Sequence, residues 1–171
     1  MAIVLKDLVD AVGNYIANRV QVSITAPDPS TGDEINKNEE FTFAVKVTNP
    51  AAVDSIRLKN IRYAVDFQNP ASVDLIVPTD PGLVARSGDH ATDPILQPGT
   101  RVKFMYIFPS DERNVLEEGG ETEAITLRGR AISSPANTTI RFRVLADPDL
   151  DFLFPKDRST KAVSVPLSIK E

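Results

Sequence analysis

Apolar and polar residues alternate along most of this 171-residue chain with the two-residue period of β-strands. In segment 41–48, for example, an aromatic or β-branched residue occupies every odd position, and Asn49 and Pro50 end the run. Successive side chains of a strand point to opposite faces, so this pattern predicts a strand with one buried face. The same alternation predicts strands in segments 20–24, 72–77, 122–131, 138–145 and 163–169.

Two segments depart from simple alternation. Between residues 56 and 67, the apolar positions up to 58 have even numbers and those from 61 onward have odd numbers. One extra residue restores the alternation, so we expect a β-bulge near residues 59–60; two shorter strands with a kink are the alternative. Segment 101–108 is apolar on both parities, because Met105 and Ile107 lie between aromatic residues. That pattern predicts a central strand covered on both sides.

Before the first strand, the apolar residues recur at intervals of three and four, which predicts an amphipathic helix over about residues 3–18. A helix of this length is marginal alone in water, so it packs either on the chain's own sheet or on a partner. The sequence leaves both arrangements open. The residues that would contact a partner are Leu5, Leu8, Val9, Val12, Tyr15 and Ile16.

About eight short strands after one helix are typical of an all-β sandwich or barrel. The helix precedes the strands and does not alternate with them, which argues against a parallel α/β sheet. We therefore expect an N-terminal helix in residues 1–19 and a single β-sandwich domain in residues 20–171. Pro166 cannot donate to a ladder, so the last strand lies at an edge or carries a bulge. Residues 79–98, rich in proline and glycine, are expected to form a long irregular loop.

The composition narrows the classes of function. The chain has no cysteine, which excludes disulfides, thiolate metal sites and cysteine nucleophiles. Its formal net charge is -5 and its basic residues are scattered, so nucleic acid is not an expected partner. The first apolar run is too short for a signal peptide, and no segment is apolar enough for a membrane span. We expect a location in the cytoplasm, or in an assembly released without a signal peptide.

Three carboxylates alternate in the sequence DPDLD: Asp147, Asp149 and Asp151. Oxygen ligands at such spacing can converge on Ca²⁺. The helix-loop-helix calcium motif is excluded, because Phe152 and Arg158 occupy the positions that require glycine and glutamate. A solvated acidic turn between two strands is the simpler interpretation.

Other catalytic and cofactor-binding combinations are missing from the sequence. His90 is the only histidine, and zinc normally takes several nitrogen or sulfur ligands, so we interpret it as a loop residue. No Gly-x-Ser-x-Gly sequence and no phosphate-binding glycine-rich loop is present. The glutamates of LEEGGETE flank a pair of glycines, which indicates an exposed, solubilising turn. We therefore expect no enzymatic activity and no cofactor.

Two phrases resemble a known class of domain. NEEFTFAVKVTNP (38–50) and LQPGTRVKFMYIF (96–108) are similar to strand-and-turn phrases of bacterial immunoglobulin-like and fibronectin type III-like adhesion modules. The resemblance covers residues 20–170 in pattern and these two phrases in detail. It implies an immunoglobulin-like antiparallel β-sandwich with a binding or scaffolding role.

These observations lead to two hypotheses for function. The first is a structural or adaptor protein that binds a protein partner or self-associates, as a subunit of a larger, homo-oligomeric or virus-like assembly. The alternative is a carbohydrate-binding module, for which Phe152 and Phe154 are the best candidates for exposed stacking aromatics.

Overall fold

The computed structural model describes residues 20–24, 34–51, 56–133, 136–148 and 159–170. These ranges contain eleven β-strands and no helix. The strands are β1 (Gln21–Ile24), β2 (Glu34–Asn36), β3 (Glu40–Thr48), β4 (Leu58–Phe67), β5 (Val73–Ile76), β6 (Leu83–Arg86), β7 (Arg101–Val102), β8 (Phe104–Pro109), β9 (Ile125–Ala131), β10 (Ala136–Pro148) and β11 (Ser159–Lys170).

The strands form two sheets. The first sheet has five strands in the order β1-β3-β9-β5-β7, and the second has six in the order β2-β11-β10-β4-β8-β6. Neighbouring strands are antiparallel except β2 and β11, which pair in parallel. An all-β fold with two sheets therefore confirms the class predicted from the alternating pattern.

The core lies between the sheets and, in β3, β4, β9 and β10, contains the apolar residues on the predicted parity. Phe41 of the first sheet contacts Phe67 of the second edge-to-face, with ring centroids 6.2 Å apart. Within the second sheet, the rings of Tyr63 and Phe142 lie 5.2 Å apart. Each large side chain that is fully buried stabilises the fold by about 1.5–3 kcal/mol relative to its exposed state. Contacts between rings of the two sheets therefore hold the layers together.

The predicted bulge in β4 is confirmed. Arg62 lies opposite Leu145, but Lys59 lies opposite Asp147, so β4 has one more residue than β10 at this point. The extra residue is Asn60, whose φ of 52° is in the left-handed region that asparagine tolerates better than most residues. The bulge explains why the buried positions change parity between Leu58 and the rest of the strand.

The prediction of an irregular loop over residues 79–98 is wrong for four of these residues. Residues 83–86 form β6, which pairs with β8 at the edge of the second sheet. The following chain folds back along β6, where the Leu96 amide donates to the Ala85 carbonyl over 2.8 Å. A strand of four residues, between Pro81-Gly82 and Ser87-Gly88, is too short to show a clear period, although Leu83 and Ala85 are buried on alternate positions.

The prediction of one strand over residues 101–108, covered on both sides, is also wrong. β7 pairs with β5 in the first sheet and β8 pairs with β4 in the second, so the chain changes sheets at Lys103. The Lys103 ammonium lies 2.6 Å from the Asp74 carboxylate, which anchors the crossing. Met105 and Ile107 are fully buried, whereas Phe104 on the opposite face is 51% exposed.

Pro166 lies where β11 pairs with β10 alone among the described residues, because β2 joins only at residues 168–170. This agrees with the predicted edge position. The predicted helix in residues 1–19, with Leu5, Leu8, Val9, Val12, Tyr15 and Ile16, lies outside the described residues. Asp149, Asp151, Phe152 and Phe154 also lie outside them. Within the described ranges, no helix is long and apolar enough to cross a membrane.

Candidate functional site

The second sheet turns one face away from the core, and we call its residues on β6, β8, β4 and β10 the outer face. They alternate with the core residues of the same strands. Strand pairing arranges them in two full rows, Phe104–Asp66–Arg141 and Arg86–Tyr106–Ala64–Arg143. Beyond the second row lie the pairs Val84–Phe108 and Arg62–Leu145.

Three aromatic side chains run along β8 on the outer face. Phe104 is 51% exposed, and Tyr106 and Phe108 are partly exposed. The Arg86 guanidinium lies 5.5 Å from the Phe108 ring centroid, within the range of a cation–π contact. Exposed apolar groups that lie side by side on a sheet are more often interaction surfaces than single exposed residues are.

Ala64 lies between Tyr106 and Arg143 in the second row, and its small side chain leaves a depression in the outer face. This depression, which we call the Ala64 hollow, has a volume of about 170 Å³. Phe104, Tyr106, Arg143 and Asp66 line it together with parts of Val65 and Met105. The Ala64 hollow thus has aromatic walls, a cationic wall and a small floor.

The two arginines of β10 on this face differ in their partners. Arg141 forms two hydrogen bonds with the Asp66 carboxylate, over 3.0 and 2.6 Å, and Asp66 raises the pKa of the Arg141 guanidinium. Arg143 is exposed and forms no ion pair with any other described residue. The cationic wall of the Ala64 hollow is therefore not neutralised within the part of the chain that the structure describes.

A second concavity, the polar cleft, lies where the bulge of β4 meets the end of β8. Its volume is about 450 Å³. It is lined by Asn60, Ile61, Arg62, His90, Ala91, Phe108, Pro109, Asp111, Asn114 and Asp147. The cleft therefore combines amide, carboxylate, guanidinium and imidazole groups with an apolar wall.

Asp147 is the most buried acidic residue of the cleft, at 8% exposure. The Asn60 amide donates to its Oδ2 over 3.0 Å. Its Oδ1 accepts no hydrogen bond from the part of the chain that the structure describes, and lies 3.7 Å from Arg62 Nη2. The expectation of a solvated acidic turn is thus wrong for Asp147, because β10 continues through it to Pro148.

The calcium prediction remains a prediction. Asp149 and Asp151, its other two carboxylates, fall outside the described residues. Within those residues, no group of three or more histidine, cysteine, aspartate or glutamate side chains is arranged to hold a metal ion.

His90 belongs to a tight loop that closes one side of the polar cleft. Its backbone amide donates to Asp93 Oδ2 over 2.9 Å, and a side chain at Gly88 would overlap that carboxylate. The same loop places the Asp89 carbonyl 3.1 Å from Arg62 Nη1. The His90 side chain is 63% exposed, which fits its interpretation as a loop residue.

The glutamates of LEEGGETE lie on the surface, as expected. Glu117 pairs with Arg57 at 2.8 Å and Glu121 with Lys46 at 2.7 Å, and all four of these side chains are more than one third exposed. Exposed pairs of this kind contribute about 0–1 kcal/mol each. The turn at Gly119, where φ is 72°, separates these carboxylates, so they form no paired acid site.

Sequence reasoning missed the outer face and the polar cleft. The aromatic residues of β8 were assigned to a covered strand, although the apolar character of both parities was the available signal. The cleft joins residues from four separate segments, and only the parity change at Asn60 pointed towards it.

No protein-family model and no curated protein matches the chain. Solved structures align with most of its length at low identity. A CaDoc0917–CaCohA2 complex aligns with a TM-score of 0.48 and 11% identity, covering 88% of this chain and 99% of that one. A CARDB domain from Pyrococcus furiosus in complex with di-metal ions aligns with a TM-score of 0.43 and 13% identity, covering 88% and 86%.

AvmM, which catalyzes macrocyclization in alchivemycin A biosynthesis, aligns with a TM-score of 0.44 and 12% identity, covering 90% of each chain. At these scores the alignments carry no argument about activity, partners or metals. The architecture itself rests on the two sheets and their strand order. The immunoglobulin-like type of this sandwich stays a prediction from the two sequence phrases.

Proposed function

We propose that this protein is a non-catalytic structural subunit that acts by protein–protein contact, and that its outer face binds a second copy of the chain. The observation that carries the proposal is the position of Phe104, which is 51% exposed and lies beside the Ala64 hollow. Each copy thus presents an aromatic side chain next to a depression suited to one.

The walls of the Ala64 hollow favour an aromatic ring as occupant. Tyr106 offers a ring for offset or edge contact, and Arg143 offers a guanidinium for a cation–π contact. In a twofold dimer both subunits use the same patch, so if residue i of one copy contacts residue j of the other, residue j of the first also contacts residue i of the second. A twofold axis near Ala64 would place Phe104 of each copy in the hollow of the other.

The expected affinity is modest. Phe104 is already about half buried in one copy, so burying the rest of both copies would contribute about 1.5–3 kcal/mol in total, and each cation–π contact about 0.5–2 kcal/mol. Association costs at least about 4 kcal/mol in lost translation and rotation. Tyr106 and Phe108 therefore have to contribute as well, and we expect a dissociation constant in roughly the micromolar range.

The predicted helix of residues 1–19 is a second contact in this proposal. Its apolar residues Leu5, Leu8, Val9, Val12, Tyr15 and Ile16 would dock on a neighbouring subunit as an amphipathic helix docks in a groove. With two different contacts per subunit, dimers would join into a larger assembly.

Mass measurement in solution by light scattering, over a range of protein concentrations, tests the outer-face contact. The wild-type chain should approach twice 18.7 kDa, and Phe104→Ala should stay near 18.7 kDa. Ala64→Leu, whose larger side chain fills the hollow from its floor, should also remain monomeric. Thr126→Ala is the control, because Thr126 is exposed on β9, which belongs to the first sheet and not to the outer face.

A wild-type chain that stays monomeric well above micromolar concentration would overturn the proposal. So would a dimer that survives both Phe104→Ala and Ala64→Leu. If the dimer depends only on residues 1–19, the helix and not the outer face is the contact. Deletion of residues 1–19 in each background distinguishes these results.

A further inference from the structure

We infer that the polar cleft binds a neutral, polyhydroxylated ligand of the size of one or two sugar rings. The polar cleft shares no lining residue with the Ala64 hollow, although Phe108 belongs both to the outer face and to the cleft, and the inference does not rest on the dimer contact. It begins from Asp147, which is 8% exposed as a residue and 12% exposed in its side chain, and which lines the cleft.

Among the described residues, no hydrogen-bond donor reaches Asp147 Oδ1. Asn60, held at positive φ in the bulge, donates to Oδ2 and thereby fixes the carboxylate. Oδ1 is left with Arg62 at 3.7 Å, which is beyond hydrogen-bond distance. Buried acceptors are nearly always satisfied by protein, water or ligand, so a donor belongs at this position.

The charges around Oδ1 select the class of donor. A metal ion or an ammonium group placed there would face the Arg62 guanidinium, which lies beside the same oxygen. An anion would face Asp147 itself and also Asp111 at the mouth of the cleft. A hydroxyl group avoids both repulsions, because it donates to the carboxylate while carrying no charge, and it also accepts from a neighbouring donor.

The remaining lining fits a ligand with several hydroxyls and one apolar side. The side-chain amide of Asn114 and the imidazole of His90 both donate and accept hydrogen bonds. Phe108, Ile61 and Pro109 supply apolar surface for carbon-bound hydrogens of a ring. The volume of about 450 Å³ falls within the range of about 300–1,000 Å³ usual for small-molecule sites.

The first experiment is an NMR titration of the full ¹⁵N-labelled chain with a panel of neutral sugars: glucose, galactose, mannose, N-acetylglucosamine, maltose and lactose. We expect at least one sugar to produce saturable shifts in the amide signals of Asn60, Arg62, His90 and Asn114. Calcium chloride and free arginine are titrated separately. Saturable binding of either at the same signals, with no sugar response, would overturn the assignment of ligand class.

Variants then test the site with the sugar that binds best. Asp147→Asn replaces one acceptor oxygen by a donor, and we expect it to weaken binding about tenfold or more. Asn114→Ala removes a lining amide whose side chain makes no hydrogen bond with another described residue, and should weaken binding several-fold even if Asp147→Asn folds poorly. Asp66→Asn is the matched control, because this carboxylate lies on the outer face and pairs with Arg141.

The expected pattern is weaker binding in both cleft variants and unchanged binding in Asp66→Asn and Phe104→Ala. No saturable response to any sugar would refute the inference. Binding that both cleft variants leave unchanged would refute it as well. Loss of the dimer in Phe104→Ala with intact sugar binding would separate this site from the proposed function.

Discussion

Gly129 lies opposite Phe41 in the ladder between β3 and β9, where a missing side chain makes room for a buried ring. A Cβ at this position would lie 2.5 Å from Phe41 Cζ and 3.0 and 3.1 Å from its two Cε atoms. The ring has little freedom to move, because Phe43 and Phe67 contact it with centroids 6.3 and 6.2 Å away. Gly129→Ala therefore overpacks the core at its aromatic centre.

Two opposing effects set the magnitude. Overpacking of a close-packed core costs about 1–3 kcal/mol. Replacing glycine by alanine stabilises the folded state by about 0.4–1 kcal/mol, because the unfolded chain loses freedom. The clash wins, and we expect Gly129→Ala to lower the free energy of unfolding by about 1–2 kcal/mol.

Urea unfolding with linear extrapolation measures this change, with Thr126→Ala on the exposed face of β9 as control. The control should change stability by less than about 0.5 kcal/mol. A double-mutant cycle with Phe41→Leu identifies the cause. Since a leucine leaves room above residue 129, the two substitutions should couple favourably by at least about 0.5 kcal/mol. If Gly129→Ala leaves the free energy of unfolding unchanged or raises it, or if the two substitutions are additive, a side chain at residue 129 does not clash with the Phe41 ring.

Three further changes test other parts of the fold. Burial raises the pKa of Tyr63 from 10.0 to about 12, so the free energy of unfolding should be unaffected by this group below pH 10 and should fall by roughly 2–3 kcal/mol as the pH rises to 12. Alkaline unfolding experiments should show this loss in the wild-type chain and not in Tyr63→Phe. Thr122→Val should cost about 1–3 kcal/mol by urea unfolding, because the Val47 amide, which donates to Thr122 Oγ1 over 3.0 Å, would stay buried without an acceptor; equal stability would contradict this. Asn49→Ala should cost about 2–3 kcal/mol by the same assay and increase proteolysis near residues 117–120, since the Asn49 amide donates to the carbonyls of Ile56 and Glu117; unchanged proteolysis would show that this clamp is dispensable.

The sequence predicted strands such as β3 and β9 well, because one face of each is buried and the other is at least partly exposed. Alternation at 41–48 and 138–145 corresponds to β3 and β10, and the change of parity at residues 59–60 corresponds to the bulge. Short strands such as β2 and β6 were missed, since three or four residues cannot establish a period. Their pairing is set by partners far away in the sequence.

The candidate sites were harder to predict than the fold. The outer face depends on which sheet β8 joins, and the sequence gives no sign that the chain changes sheets at Lys103. The polar cleft depends on the bulge that brings Asn60 to Asp147, a contact across 87 positions. The local sequence pattern assigns such residues to turns or loops, and only the pairing of distant strands shows which side chains they contact.

The parallel pairing of β2 with the end of β11 bears on how the chain reaches its native state. These two strands come from opposite ends of the described chain, and β10, next to β11, must also find β4 from far along the sequence. Loop-closure entropy makes such distant pairing slow, so we expect folding on the millisecond-to-second scale typical of all-β domains. During synthesis, the N-terminal half would leave the ribosome with the edges of β4 and β2 unsatisfied. The nascent chain would therefore be most open to chaperones, or to pairing with another copy, until β10 and β11 emerge.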